Sequence, residues 1–397
     1  MPMMISTQSL WTIFLVFLRL GLTSFGGPTA HLGYFRDEFV IRRKWLNDAQ
    51  YADTVALCQF LPGPASSQVG MAIGYYCGGY KGALVAWLGF TFPSAMILIS
   101  FALGFDHLQS MQLTGILHGL KIIAVAVVIQ ALWGMTKTLC PDATRITLMS
   151  LSTFMMLMLP SLWTQLVVII VAGILGTLIF RSSQSTEKQQ VSTVNSRHIG
   201  FTGLILFFGL LIALPVLSFT FSNPALAIFD AFYRTGALVF GGGHVVLPLL
   251  NTQVVATGWI EQNTFLAGYS LAQAVPGPLF TFAGFLGASM PHMITPWLGG
   301  ILCIVAIFSP SFFLLIGILP FWQSIRDLAW MSAALKGINA AVVGLLLAAL
   351  YQPIWTNSIY TSKDFSLALL ALLALMVWRL PVWLVVFLGG LLGWWLM

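Results

Sequence analysis

From Gly82 to Phe105 the chain carries no charged residue, and comparable apolar runs recur along its length. A run of that size can cross the hydrocarbon of a bilayer as a helix. Inside hydrocarbon every backbone polar group must find its partner within the protein, which leaves helices or a closed barrel. The runs are of helix length and do not alternate apolar with polar residues, so helices are indicated. Composition agrees: 58% of the 397 residues are hydrophobic and 7% charged, against about 25% charged in soluble domains. The expectation is an all-α integral membrane protein of about 11–13 transmembrane segments. They fall near 9–25, 49–61 with 65–80, 82–105, 113–138, 145–159, 162–180, 199–220, 224–241, 263–275 with 279–292, 294–318, 330–351, 363–378 and 382–397. No cleavable signal peptide is evident, because the first ten residues hold no Lys or Arg, and the run from Leu10 to Phe25 reads as the first membrane helix.

Two short motifs punctuate these runs, and both occur twice. Arg19, Gly21, Phe25, Gly26 and Gly27 recur as Arg234, Gly236, Phe240, Gly241 and Gly242 with the same spacing. Trp45, Gln59, Pro62, Gly63 and Pro64 recur as Trp259, Gln273, Pro276, Gly277 and Pro278, again with the same spacing. Pro93-Ser94 returns as Pro310-Ser311, and Gly119 pairs with Gly337. Ordered matches of this kind indicate duplication. The halves are residues 1–180 and 224–397, joined over 181–223 by a polar linker and a connector helix that has no mate. Inverted halves are common in transporters, and inversion is the expectation here. It requires each Pro-Gly-Pro segment to cross once. The basic loops 36–44, 137–145 and 181–197 argue the other way, since they share one side only when the Pro-Gly-Pro segments are re-entrant and the halves parallel.

Pro-Gly-Pro breaks a helix, because proline removes a donor and clashes with the turn before it. Broken backbone is tolerated at membrane depth only where it is buried in protein or lines a wet cavity. Each break also creates a helix N-terminus, whose free amides and dipole suit an anion. Ser66 lies in the first turn after Pro64. Gln59 and Gln273, each three residues before its Pro-Gly-Pro, are placed to orient the break or donate to the anion. Two such breaks at matching positions favour a site over a plain kink. Arg19 and Arg234 interrupt apolar helices, at a cost of about 2.5–3.5 kcal/mol at mid-membrane. A bound oxyanion would offset that cost; snorkelling, or a pair between Asp230 and Arg234, is the plainer reading. The glycine pairs form an anion nest or simply let backbones approach. Arg42, Arg43, Lys44 and Trp45 gather anions at one mouth or fix topology. Lys121 is a further cationic candidate, Asp53 most simply faces water, and His31 and His244 most simply take hydrogen bonds near the glycine motifs.

The sequence also excludes. No CxxC, HExxH, Walker motif, GxSxG or nucleophile–base pair occurs, so no metal, cofactor, ATP-driven step or enzymatic activity is expected. The net charge of +6 is dispersed, and no nucleic-acid partner is expected.

The segments "RLGLTSFGGP", "RRKWLNDAQY", "QFLPGP" and "FGGGHVVLPLL…QAVPGP" resemble the chromate ion transporter family, over nearly the whole chain and in both halves. The resemblance implies a bacterial or archaeal inner-membrane protein with halves of opposite orientation. It further implies secondary transport that expels chromate, with sulfate as an analogue. By motif position it carries over Arg19, Gly26, Gly27, Arg43, Trp45, Gln59, Pro62, Gly63 and Pro64 in the first half. In the second it carries over Arg234, Gly241, Gly242, Pro248, Gln273, Pro276, Gly277 and Pro278. The second half reads "VATGW" where the first has its basic run, so the halves are not equivalent and the first is expected to carry more of the substrate chemistry. The expected partners are chromate or sulfate and the lipid bilayer; a homodimer is allowed but not required. A transporter of another tetrahedral oxyanion, an intramembrane lipid-modifying enzyme and a non-transporting scaffold are the competing readings.

Overall fold

The computed structural model describes residues 8–25, 27–110, 114–159, 161–180, 197–221, 223–240, 243–290, 295–325 and 328–396. All regular structure among them is helical, and five helices are long and apolar enough to cross a membrane. Many helices start on a polar cap: Ser9 for α1 (Leu10–Thr23), Asn47 with Gln50 for α3 (Asp48–Phe60), Asp142 for α6 (Ala143–Met158) and Ser161 for α7 (Leu162–Ile179). Asn223 caps α9 (Pro224–Leu238), and Thr361 with Asp364 caps α16 (Ser362–Met376). Each cap satisfies amides that the first helical turn leaves free.

The chain enters from one face, called the first. The amide of Gln8 bonds to the Cys77 carbonyl there. α1 runs inward to Ser24, and α2 (Gly27–Arg36) with a π-helical turn (Asp37–Arg42) brings the chain back. The return is fixed by aromatic packing: Phe35 and Phe39 lie 5.9 and 5.0 Å from Phe17, with Trp45 5.0 Å from Phe39. α3 goes in again to Pro62–Pro64, and the first arm of α4 (Ala65–Ser110) comes out, with Tyr76 beside Thr54. At Gly78–Gly79 the helix direction breaks, with Gly79 at φ +62°. The second arm of α4 then crosses to the far face. Gly74 and Gly82 face each other so closely that a Cβ on either would strike the other's backbone.

α5 (Thr114–Leu139), α6 and α7 follow, and α8 (Arg197–Phe221) makes one extra crossing. Gly200 of α8 lies against Pro320, and Gly203 against the Phe313 carbonyl. α9 therefore starts at the second face and ends at Val239 in the interior. The chain returns through a short 3₁₀ turn, α10 (Val246–Leu250) and a π-helical turn (Asn251–Val255). α11 (Gln262–Ala274) reaches Pro276–Pro278, and α12 (Phe282–Ala288) leads back out to α13 (Pro296–Ile318). α13 runs antiparallel to the second arm of α4: Trp87 meets Phe308 at 5.6 Å, while Ile99 packs on Gly284 and Gly300. It ends at the first face, before the short α14 (Trp322–Ile325), where the Trp322 indole donates to Asp53 (3.2 Å).

The halves are thus inverted. They also exchange their outer helices. α5 packs on α16 and α17 (Val382–Leu396), with Gly115 and Gly119 against Gly393 and Gly389. α15 (Ala329–Ala349) packs on α6 and α7, with Gly337 against Ala172 and Gly344 against Met149. Small residues let these backbones touch, as expected where no hydrophobic force joins helices in lipid.

The expectation that inversion needs each Pro-Gly-Pro segment to cross once is corrected. Both segments are re-entrant, and the halves are nevertheless inverted. The error lay in segment 9–25, expected as a full crossing. α1 is only one arm of a hairpin, and its partner α2 lay hidden in a stretch read as a loop. Inversion then comes from the single crossing of α8. The charge pattern no longer conflicts: Arg36, Arg42, Arg43, Lys44, Lys81, Lys137, Arg145 and Arg379 sit at or near the first face, and Lys121 and Lys363 at or near the second.

Candidate functional site

Four hairpin tips, two from each face, converge in the interior, and each half's Pro-Gly-Pro tip is seated on the other half. The Gly63 amide donates to the Val239 carbonyl (2.7 Å), and the Gly277 amide to the Ser24 carbonyl (2.9 Å). Gly63 and Gly277 adopt φ +120° and +106°, a region that side chains avoid. A Cβ on Gly63 would collide with Ser311 Oγ, and one on Gly277 would lie 2.8 Å from Ser94 Oγ. The repeated Pro-Ser pair is therefore the seat of the opposite tip. Its recurrence was visible in the sequence; its role depends on a contact between halves that no local pattern encodes.

At the first tip α4 begins at Ala65, and the Gln68 amide bonds to the Pro64 carbonyl (2.9 Å). The amides of Ala65, Ser66 and Ser67 have no acceptor in the preceding turn, and the helix dipole places positive potential there. Gln68, not Gln59, braces the break: its Nε2 donates to the Pro62 carbonyl (2.7 Å), while Gln59 is exposed. His31 Nδ1 meets Ser66 Oγ at 3.3 Å. Ser24 Oγ, His31 Nε2, Ser67 Oγ, Gln68 Oε1 and Ser311 Oγ are buried without a hydrogen-bond partner among the described residues. Buried polar groups are normally paired, so this group of orphans suits a polar ligand.

At the second tip Thr281 Oγ1 donates to the Pro278 carbonyl (2.6 Å). Gln273 is half-buried, 3.4 Å from His244 Nδ1, which also contacts the Tyr269 hydroxyl at 2.8 Å. Gly26, Gly241 and Gly242 lie outside the described residues; Gly27 starts α2 at φ +76°.

The two arginines differ. Arg234 is bound to Asp230 at 2.6 Å, and the Asp230 side chain is almost fully buried. Arg19 is exposed, about one turn before the α1 tip. It lines a cavity of about 180 Å³ with Thr23, Tyr34, Asp37, Glu38 and Arg42. Arg43 and Arg42 both hold Glu38, at 2.6 and 3.2 Å. Burial pushes the Glu38 carboxyl up, but the Arg43 hydrogen bond and the two guanidinium charges outweigh it and leave it below the usual glutamate range. Arg43 also stacks 5.5 Å over the buried Trp45, and Lys44 is exposed at φ +55°. Lys121 is not at the tips; it donates to Asn263 near the second face (3.1 Å).

Inverted halves with re-entrant hairpins meeting at mid-depth define a multi-pass membrane transport protein. The chain belongs to the chromate transporter family, whose model, described as "Chromate transporter", matches residues 11–177 and 226–394. It is 26% identical over 92% of its length to a probable chromate transport protein of Synechococcus elongatus, covering 88% of that protein. It is 24% identical over 96% of its length to a chromate transport protein of Pseudomonas aeruginosa, covering 91%. An uncharacterized transporter of Methanocaldococcus jannaschii is 26% identical over 86% of the chain, with 84% of that protein covered. No solved structure matches the chain.

Proposed function

We propose that this protein is a secondary transporter that exports chromate, and that the anion binds where the opposed hairpin tips meet. The observation that carries the reading is the set of buried, unpartnered polar atoms around the N-terminus of α4. A tetrahedral dianion at that point would accept from backbone amides and hydroxyls, as anions do at helix N-termini. Residues 1–180 and 224–397 act as the two transport repeats, with 181–223 as linker and connector. Hairpins that enter from opposite faces and rest on each other's halves suit alternating access: a small shift of one half on the other frees the tips toward one face at a time. The excess of basic residues at the first face supports a cytoplasmic orientation for it. Arg19, in its cavity on that side, draws the anion toward the tips. Arg234 stays with Asp230 and contributes charge only if that pair opens. The relatives named for chromate transport support the substrate, and the bacterial ones support the inner membrane.

The test is chromate accumulation in a chromate-sensitive host with and without the protein, with excess sulfate in parallel. Lower chromate in expressing cells supports export, and relief of that effect by sulfate supports a shared site. Equal or higher chromate, with verified membrane expression, refutes export and points to uptake of chromate or a related oxyanion.

A further inference from the structure

We infer that only the first of the two Pro-Gly-Pro tips is an oxyanion site, formed by the N-terminus of α4 with Ser67, His31 and Ser311, and that the second tip is its dry structural mate. The inference rests on the transport reading above and narrows it, because the duplicated motif by itself implies twin sites.

Positions related by the repeat differ between the two tips. Ser66 and Gln68 of the first tip correspond to Phe280 and Phe282 of the second, both fully buried. His31 corresponds to Val246. Ser67 corresponds to Thr281, and the contrast there is sharp. The Ser67 hydroxyl has no partner among the described residues, whereas the Thr281 hydroxyl is committed to the Pro278 carbonyl at 2.6 Å. Ser311, seated under the first tip, is also unpartnered, while its mate Ser94 donates to the Thr91 carbonyl at 3.1 Å. The helix ends differ as well. The first arm of α4 continues unbroken to residue 77, whereas the second tip leads into a 3₁₀ turn and then the short α12. Unpartnered hydroxyls also lie beside the second tip, at Ser24 and Thr91, but among the described residues the first tip alone joins such donors to the N-terminus of a helix longer than two turns.

Those donors are hydroxyls, backbone amides and one imidazole. His31 is 1% exposed, with Nδ1 3.3 Å from Ser66 Oγ and its ring beside the Ser24 backbone. Such a set matches a tetrahedral oxyanion, which offers acceptors in every direction. Ser311 comes from α13, so the site closes only when the two halves are engaged.

The test uses the full-length chain purified in detergent and titrated by calorimetry with chromate and, separately, with sulfate. Ser67→Ala and His31→Phe are each expected to weaken binding about ten- to a hundredfold, the range for one hydrogen bond to a charged group. His31→Gln, which keeps an N–H donor, is expected to bind more tightly than His31→Phe. Thr281→Ala is expected to stay within about twofold of the wild type, since it loses no ligand contact. Thermal midpoints without anion separate lost folding from lost binding. One anion per chain, with that ordering, supports the assignment. Two anions per chain, or a loss in Thr281→Ala equal to that in Ser67→Ala, overturns it and leaves the transport reading standing. A wild-type protein that binds neither anion overturns the transport reading, and the tip assignment with it.

Discussion

Replacing Gly63 by alanine tests the seating of one half upon the other. Gly63 sits at φ +120°, and holding a side-chain-bearing residue in such a region costs about 1–3 kcal/mol. The new Cβ would also overlap Ser311 Oγ and approach Gln68 Nε2 to 2.8 Å, and overpacking of this kind costs about 1–3 kcal/mol. The expected destabilisation is therefore roughly 2–6 kcal/mol. The two contributions separate in a double-mutant cycle. Ser311→Gly removes the hydroxyl that the Cβ strikes but leaves the torsion strained, so the pair should couple by about 1–2 kcal/mol. Gly33→Ala is the control, because a Cβ on Gly33 meets nothing within 4 Å; it should be neutral or slightly stabilising. The assay is unfolding by SDS titration in mixed micelles, followed by tryptophan fluorescence. A Gly63→Ala protein as stable as Gly33→Ala would show that the tip is not held as described. Destabilisation without coupling to Ser311→Gly would show that the first tip does not rest on α13.

Three further outcomes are expected. Arg19→Ala should abolish chromate transport with membrane expression intact, as scored by cellular chromate, while Arg19→Lys should retain part of it. Asp230→Asn leaves the Arg234 guanidinium without its counter-charge and should cost about 2–4 kcal/mol in the SDS titration, whereas the Asp230→Asn/Arg234→Gln double variant should recover much of the loss. The depressed Glu38 carboxyl contributes stability that is present above its unfolded pKa and lost as pH falls through the lower folded value; the thermal midpoint should therefore drop on acidification below about pH 4.3, and Glu38→Gln should flatten that part of the profile.

Much of the architecture was legible because membrane helices must be apolar and because the chain repeats. The runs, the duplication and the helix at α8 all follow from spacing. What escaped was the re-entrant pairing of α1 with α2. α2 holds Gly, Pro, Thr, His and Arg, a composition that reads as a loop in water-facing terms. It forms a helix because Phe35, and Phe39 just beyond it, pack on Phe17. At the site, Pro62, Gly63 and Pro64 were legible as a break. Gln68 and Ser311 were not, because their importance comes from a contact between residues far apart in sequence. Arg234 had two readings in the sequence, and the structure places it with Asp230.

The exchange of contacts between halves sets a schedule for synthesis. Gly63 leaves the ribosome long before Val239, the residue whose carbonyl receives its amide. At roughly 5–20 residues per second the interval is on the order of ten to thirty-five seconds. During that time the first pair of hairpins stands in the membrane with broken backbone and no seat, a state that hydrocarbon penalises. The nascent first half must wait in a sheltered place, at the insertion machinery or at the interface, until α9 and α13 arrive. Slow or interrupted delivery of the second half would therefore harm the first half as surely as a mutation within it.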